Sequence, residues 1–207
     1  MHHPTILLTG FEPFGSNDRN PAGEIVQVLD GTKVAGFGIE GAVLSVSADG
    51  VGDDLFAAIE RTQPDVVLSL GLAGGRTGLS AERVAINVLD FDIPDNAGVH
   101  LTDQPIVPGG PGACFATIPI RRISDAWTEA GIPGAVSNTA GTYICNQVLY
   151  LALHAAPRHG YRAGFIHLPY LPAQVVGEKS DRPSMAMDLM LRGITMAIEA
   201  CQTPVAA

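Results

Sequence analysis

The sequence predicts a three-layer α/β domain, with a twisted, mostly parallel or mixed sheet covered by helices on both faces. Three observations carry that prediction. Short apolar runs at 5–9, 42–46, 66–70, 135–137 and 164–168 have the length and composition of strands buried on both faces. Segments of helical period, at 22–29, 53–62, 120–130, 144–156 and 184–200, alternate with them from one end to the other. The chain of 207 residues is long enough to bury one ordinary core without staples, and no linker, repeat or low-complexity tract divides it, so 1–207 reads as one domain.

Taken in order, "TILLT" is the first strand, and "GFEPFG" opens the loop that follows it. The helix at 22–29, the second strand, the helix at 53–62 and the third strand, with "VVLSL", come next. After that strand lies "GLAGGRTG", a glycine-rich loop over 71–81. The segment 92–112, "DIPDNAGVHLTDQPIVPGGPG", has no sustained period and reads as a long arm, of the kind that covers a site or a neighbouring subunit. Small and turn-forming residues, "NTAGT", precede a helix that meets no breaker until Pro157. The strand "GFIHL" is stopped by Pro169, and Met187, Met190, Leu191, Ile194 and Ile198 give the last helix an apolar stripe that reads as core. In open α/β sheets ligands gather beyond the carboxyl ends of the strands, which directs attention to the loops 10–21, 71–81 and 138–143.

Composition excludes several classes of partner. A formal net charge of −9 repels phosphate backbones and anionic lipid surfaces, so neither nucleic acid nor membrane is expected. No apolar run approaches the roughly 18 residues of a membrane span, and the start runs straight into a strand; the expected location is cytoplasmic. Only 16% of residues are charged against 46% hydrophobic, which predicts an apolar surface and self-association. Three cysteines, Cys114, Cys145 and Cys201, are far apart and lack any Cys-x-x-Cys spacing, so neither a disulfide framework nor a metal site is expected.

Cys145 stands in the first turn of the predicted helix 144–156. There unpaired backbone N–H groups and the helix dipole favour thiolate, lowering the thiol pKa and offering donors for an oxyanion. Residue type alone favours the commoner case, an inert buried thiol. Among six histidines, His167 is the one at the carboxyl end of a buried strand, the edge to which the Cys145 helix start also points. Glu82, in "LSAERVAIN", follows the glycine loop and precedes an apolar run; Asp95, in "IPDNAG", is a second acid, with turn formation as its plain alternative. The glycine loop lacks the Gly-Lys-Ser/Thr end of a P-loop and the dinucleotide fingerprint, which argues against a nucleotide. Phe11 and Phe14 bracket a rigid Glu12-Pro13 turn and can stack on a flat, uncharged ligand or simply anchor the loop.

Together "LLTGFEPFG…NPA", "GLAGG…AERVAIN…IPDN", "SNTAGTYICN", "GFIHLPYLP" and "KSDRPSM", in this order and spacing, resemble the pyrrolidone-carboxylate peptidases, or pyroglutamyl peptidases I. The resemblance implies a cofactor-free cysteine peptidase that removes an N-terminal pyroglutamyl residue from peptides. It assigns the nucleophile to Cys145, the base to His167 and the orienting acid to Glu82. Phe11 and Phe14 become part of the wall of the ring pocket, and Leu72, Tyr143 and Ile144 are the further substrate-binding positions expected. It further implies a cytoplasmic homo-oligomer, a tetramer or dimer. Three positions depart from relatives: Leu72 replaces a frequent Gln, Tyr143 a Phe, and Asp92 an Arg. Outside the resemblance, another Cys-His amidase or a noncatalytic small-molecule binding module on the same fold remains compatible with these residues.

Overall fold

A computed structural model describes residues 3–177 and 181–202. Within them β1 (Thr5–Phe11), α1 (Pro21–Leu29), β2 (Lys33–Val34), β3 (Phe37–Leu44), α2 (Val51–Thr62) and β4 (Val66–Leu72) make up the first part. Three short strands follow, β5 (Leu79–Glu82), β6 (Val84–Ile86) and β7 (Ala113–Phe115). The chain then forms α3 (Ile120–Glu129), β8 (Gly134–Ser137), α4 (Ile144–His159), β9 (Arg162–Leu168) and α5 (Met187–Ala200). Seven strands form one sheet in the order β2-β3-β1-β4-β9-β5-β8, and β6 pairs with β7 in a separate ribbon. The β3-β1-β4-β9 centre is parallel, while β2 and β5 run antiparallel to β3 and β9, so the sheet is mixed.

Alternation along each strand divides the core into two layers. Ile6 and Leu8, Leu68 and Leu70, and Ile166 and Leu168 face α1, α3 and α5; Leu7, Val67 and Phe165 face α2 and α4. Trp127 and Tyr150, the largest fully buried side chains, anchor one layer each. The three-layer α/β architecture is thus the one predicted. Close approach of the layers demands glycine where β1 ends: a Cβ on Gly10 would lie 2.5 Å from the Ala22 carbonyl oxygen. Asn20 caps α1 through a bond from the Ala22 N–H (3.1 Å), and Pro21 fills its first turn.

Several boundaries differ from the sequence expectation. The second strand begins at Phe37, not 42, because β3 alternates buried and exposed positions beside the short edge strand β2 and carries Gly38 and Gly41, which dilute the apolar signal. The strand at 135–137 is not buried on both faces; β8 is an edge strand with Ala135 exposed. The helix at 184–200 starts later, at Met187, since Met185 N–H is bonded to the Tyr170 carbonyl and Ser184 bridges to Tyr170. Pro157 does not end its helix: α4 runs on to His159, and Gly160, at φ 79°, closes it in the left-handed region. The segment 71–81, expected as a loop, contains most of the buried strand β5. Its four residues include a serine and a glutamate, too short and polar a run to register as a strand, and its partner β9 lies far along the chain.

The segment 92–112 leaves and returns between β6 and β7. Leu89 and Gln104 exchange both backbone hydrogen bonds, and Phe91 N–H donates to the Leu101 carbonyl, so its base closes as a ribbon. Its tip is tied to the β3–α2 loop: Asn96 N–H donates to the Val46 carbonyl and Ala48 N–H to Asp95 Oδ2. Of the motif "KSDRPSM", Lys179 and Ser180 lie outside the described residues.

Candidate active site

β1 connects to β3 on one side, and β4 lies on the other, so the loops after β1 and β4 diverge and leave a crevice at the carboxyl end of the sheet. A cavity of about 1010 Å³ opens there, with Phe14, Leu72, Tyr143, Cys145 and His167 in its lining. The two catalytic candidates on the sheet are brought together by simple register, and His167 reaches the cavity. Leu79 and Ala81 face the α1 layer, so Ser80 and Glu82 face α4; Ser80 pairs with His167, which places Glu82 two residues further along on the same face. Without the antiparallel β5 the acid and the imidazole would not meet.

Glu82 is 0% exposed and His167 3%. His167 Nδ1 lies 2.7 Å from Glu82 Oε1, which fixes the ring so that Nε2 is the nitrogen left for chemistry. Burial lowers the His167 pKa from its usual 6.5, against the opposing pull of the Glu82 hydrogen bond and charge. Neutral His167 therefore donates from Nδ1 and carries its lone pair on Nε2.

Cys145 is the second residue of α4, whose first turn has no side-chain cap. Its position against the sheet is set by Gly71: a Cβ there would stand 2.8 Å from Cys145 Sγ and 2.7 Å from Phe165 Cζ. Gly71 is also the register partner of His167, so the sulfur rests over the strand position adjoining the imidazole. The expected acidic thiol is not what this setting produces. Burial pushes Cys145 up to about 12 and the Glu82 charge adds to it; Arg76 and the residue's own backbone N–H oppose. Helix-terminal stabilisation, at most about 2 kcal/mol, is outweighed by desolvation. The thiol thus stays protonated at neutral pH until a base takes its proton.

Asn146, next to the cysteine and 0% exposed, accepts from Ile86 N–H (3.0 Å) and donates to the carbonyls of Ile86 (2.8 Å) and Val88 (3.1 Å). It pins the helix start to the segment after Glu82. Sequence reasoning gave it no role, although a buried amide flanking a candidate nucleophile was a readable signal. Thr142 adds a second tie, exchanging bonds with the backbone of Asp90.

The predicted pocket wall divides. Phe14 and Tyr143 face each other with centroids 6.3 Å apart, and Phe91, which sequence reasoning missed, meets Tyr143 edge-on at 4.6 Å. Tyr143 Oη donates to the Pro94 carbonyl (3.2 Å), and burial beside Asp95 and Cys145 pushes its hydroxyl up to about 12. Leu72 lies in the lining at the end of β4. Phe11 and Ile144 do not: both are buried, at 3% and 1% exposure, in the layer beneath, where Phe11 packs on Phe165. Asp95 is a turn-former, its Oδ1 accepting from Ala97 and Val99 N–H. Asp92 and Asp90 also line the cavity, with Ile93, Pro94, Tyr170 and Arg182. Among the described residues no group of three or more His, Cys, Asp and Glu gathers to hold a metal. Nor is any helix there long and apolar enough to cross a membrane.

Comparison with known proteins shows the family and the fold. A family model described as pyroglutamyl peptidase matches residues 4–203. The pyrrolidone-carboxylate peptidase of Pyrococcus furiosus is 43% identical over 94% of this chain and 96% of its own length. That of Klebsiella pneumoniae is 47% identical over 93% and 90%. In three dimensions the chain is similar to a structure of a mutant pyrrolidone carboxyl peptidase from P. furiosus, with a TM-score of 0.93 at 42% identity, covering 96% of this chain and 98% of that one.

Proposed function

The chain belongs to the pyroglutamyl peptidase family of cysteine peptidases, and on that premise we propose how its residues hydrolyse the amide bond after an N-terminal pyroglutamyl residue. The substrate's α-nitrogen is closed into a lactam, so no free ammonium is present for charge pairing. A pocket for it needs flat apolar walls, which Phe14 and Tyr143 supply.

His167 Nε2 takes the proton of the Cys145 thiol as the sulfur attacks the pyroglutamyl carbonyl carbon. A C–S bond forms, and the carbonyl oxygen becomes an oxyanion held by uncapped N–H groups at the start of α4. The tetrahedral species expels the amine, which receives the proton from His167, leaving a thioester. Water, deprotonated by His167, then attacks the thioester carbon; the C–S bond breaks and the proton returns to sulfur. Glu82 holds the tautomer and stabilises the imidazolium formed in each half. A thiol held near pKa 12 is a strong nucleophile once deprotonated, and the adjoining base supplies that deprotonation only during attack.

The observation that carries the reading is that His167, bonded to the buried Glu82, lines the same cavity as a cysteine at a helix start. Hydrolysis of a pyroglutamyl arylamide by wild type and Cys145→Ala, side by side, tests it. We expect the variant to be inactive; retained turnover would sink the nucleophile assignment.

The same reading treats 1–207 as one working domain in the cytoplasm, assembled as a dimer or tetramer, with 92–112 as its arm. Exposed apolar side chains support assembly, among them Phe115 at 66% and Val28 at 56%. Light scattering of the purified protein should give a mass of two or four chains, and a monomer would overturn that part.

A further inference from the structure

The carboxylate that orients His167 has a second partner. Arg76, in the turn between β4 and β5, places Nη2 3.1 Å from Glu82 Oε1, the same oxygen that lies 2.7 Å from His167 Nδ1. Through the same nitrogen it donates to the Thr139 carbonyl (3.2 Å), on the loop that leads into the Cys145 helix. Glu82 is fully buried, and its Oε2 has no partner among the described residues. Among those residues Arg76 is also the one arginine or lysine within ion-pair distance of it. A buried carboxylate needs a standing countercharge. His167 does not supply one at rest, because burial keeps it neutral.

We propose that Arg76 is a positioning residue for the reaction, joining the acid, the imidazole and the nucleophile's loop through one guanidinium. It rests on the assignment of Cys145, His167 and Glu82 above. Nη2 holds Oε1 where His167 Nδ1–H needs it and ties it to Thr139, on the loop that leads into α4, so acid and nucleophile keep one spacing through both halves of the reaction. Its charge also acts on both partners of the proton transfer, favouring thiolate over thiol at Cys145 and disfavouring imidazolium at His167.

The test uses Arg76→Gln and Arg76→Lys beside Cys145→Ala. Arg76→Gln should lower kcat on a pyroglutamyl arylamide about 10- to 100-fold, the worth of one charged hydrogen bond, and leave KM within about threefold. Two pH profiles should move upward together: the acid limb of kcat/KM, as the cation that disfavours imidazolium is lost, and the iodoacetamide alkylation rate of Cys145, as the cation that favours thiolate is lost. The other charged and titratable groups are Glu82, which acts on both sulfur and imidazole, and Tyr143, Asp90, Asp92, Tyr170 and Arg182, which line the same cavity. All are unchanged in the variants. Arg76→Lys keeps the charge on one nitrogen able to donate to both partners, so both profiles should stay near wild type while kcat recovers most of the loss; it carries the test if the glutamine variant does not fold. Wild-type kcat and profiles in Arg76→Gln, with Cys145→Ala inactive, would overturn the role of Arg76 and leave the triad standing. Equal losses in both variants without a pH shift would reduce Arg76 to a structural residue, whereas an active Cys145→Ala would remove the triad beneath it.

Discussion

Phe11 and Phe14 stand three residues apart in "GFEPFG" and do different things. Phe14 packs against Tyr143 in the cavity lining, whereas Phe11, 3% exposed, is the last residue of β1 and packs beneath on Phe165. The pair is separable by measurement. Phe14→Ala should raise KM for a pyroglutamyl arylamide roughly tenfold with little change in kcat, because it removes apolar contact made equally in ground and transition states. Phe11→Ala should instead cost about 3–5 kcal/mol of stability, read from urea unfolding, through the cavity it leaves. The motif exposed two aromatics but not their directions, since strand alternation fixes Phe11 inward while the turn through Pro13 frees Phe14. A similar limit applied to Cys145. Its place at a helix start was legible, but the direction of its pKa was not, because desolvation depends on what the fold lays over the sulfur.

At the scale of elements, the site depends on three strands, β4, β5 and β9, and one helix, α4, whose distance from β4 is set by a missing side chain. Gly71 lets α4 approach β4 until the sulfur occupies the space a Cβ would need, and Phe165 closes the other side. Gly71→Ala must therefore push the helix start or the phenyl ring away. We expect a folded protein with its melting temperature lowered by several degrees and kcat reduced at least tenfold, since catalytic geometry tolerates less displacement than packing does. A circular-dichroism melt and an arylamide assay on the same preparation separate the two effects; undiminished kcat would show that the contact does not position the thiol. Helices and central strands were legible because each carries its own apolar period. β5 was not: four residues give no period, and its pairing with β9 is a long-range choice. Arg76, Glu82 and His167 meet only because of that pairing.

For the whole molecule, the buried pair implies a pH window of stability. His167 has a folded pKa below its ordinary 6.5, so under pH 6.5 the unfolded chain binds a proton the native state refuses, and stability falls as pH drops toward the folded value. Cys145 is raised from 9.0 to about 12, so from pH 9 upward the unfolded chain loses a proton the native state keeps, and stability falls again. Unfolding free energies across pH should be highest between about 6.5 and 9, and a maximum below pH 6 would contradict the neutral histidine. Cys201, buried and pushed up to about 11, adds to the alkaline limb. Sequence alone determined the layered α/β class, the order of the main helices and strands, and the identity of Cys145, His167 and Glu82 as candidates, because periodicity and motif spacing are local properties of the chain. Only the tertiary structure decided that β5 runs antiparallel beside β9, that Phe11 lies beneath the pocket and Phe91 behind its wall, that Arg76 shares an oxygen with His167, and that the nucleophile rests as a thiol. These outcomes depend on register between distant strands and on the exclusion of water at their meeting point.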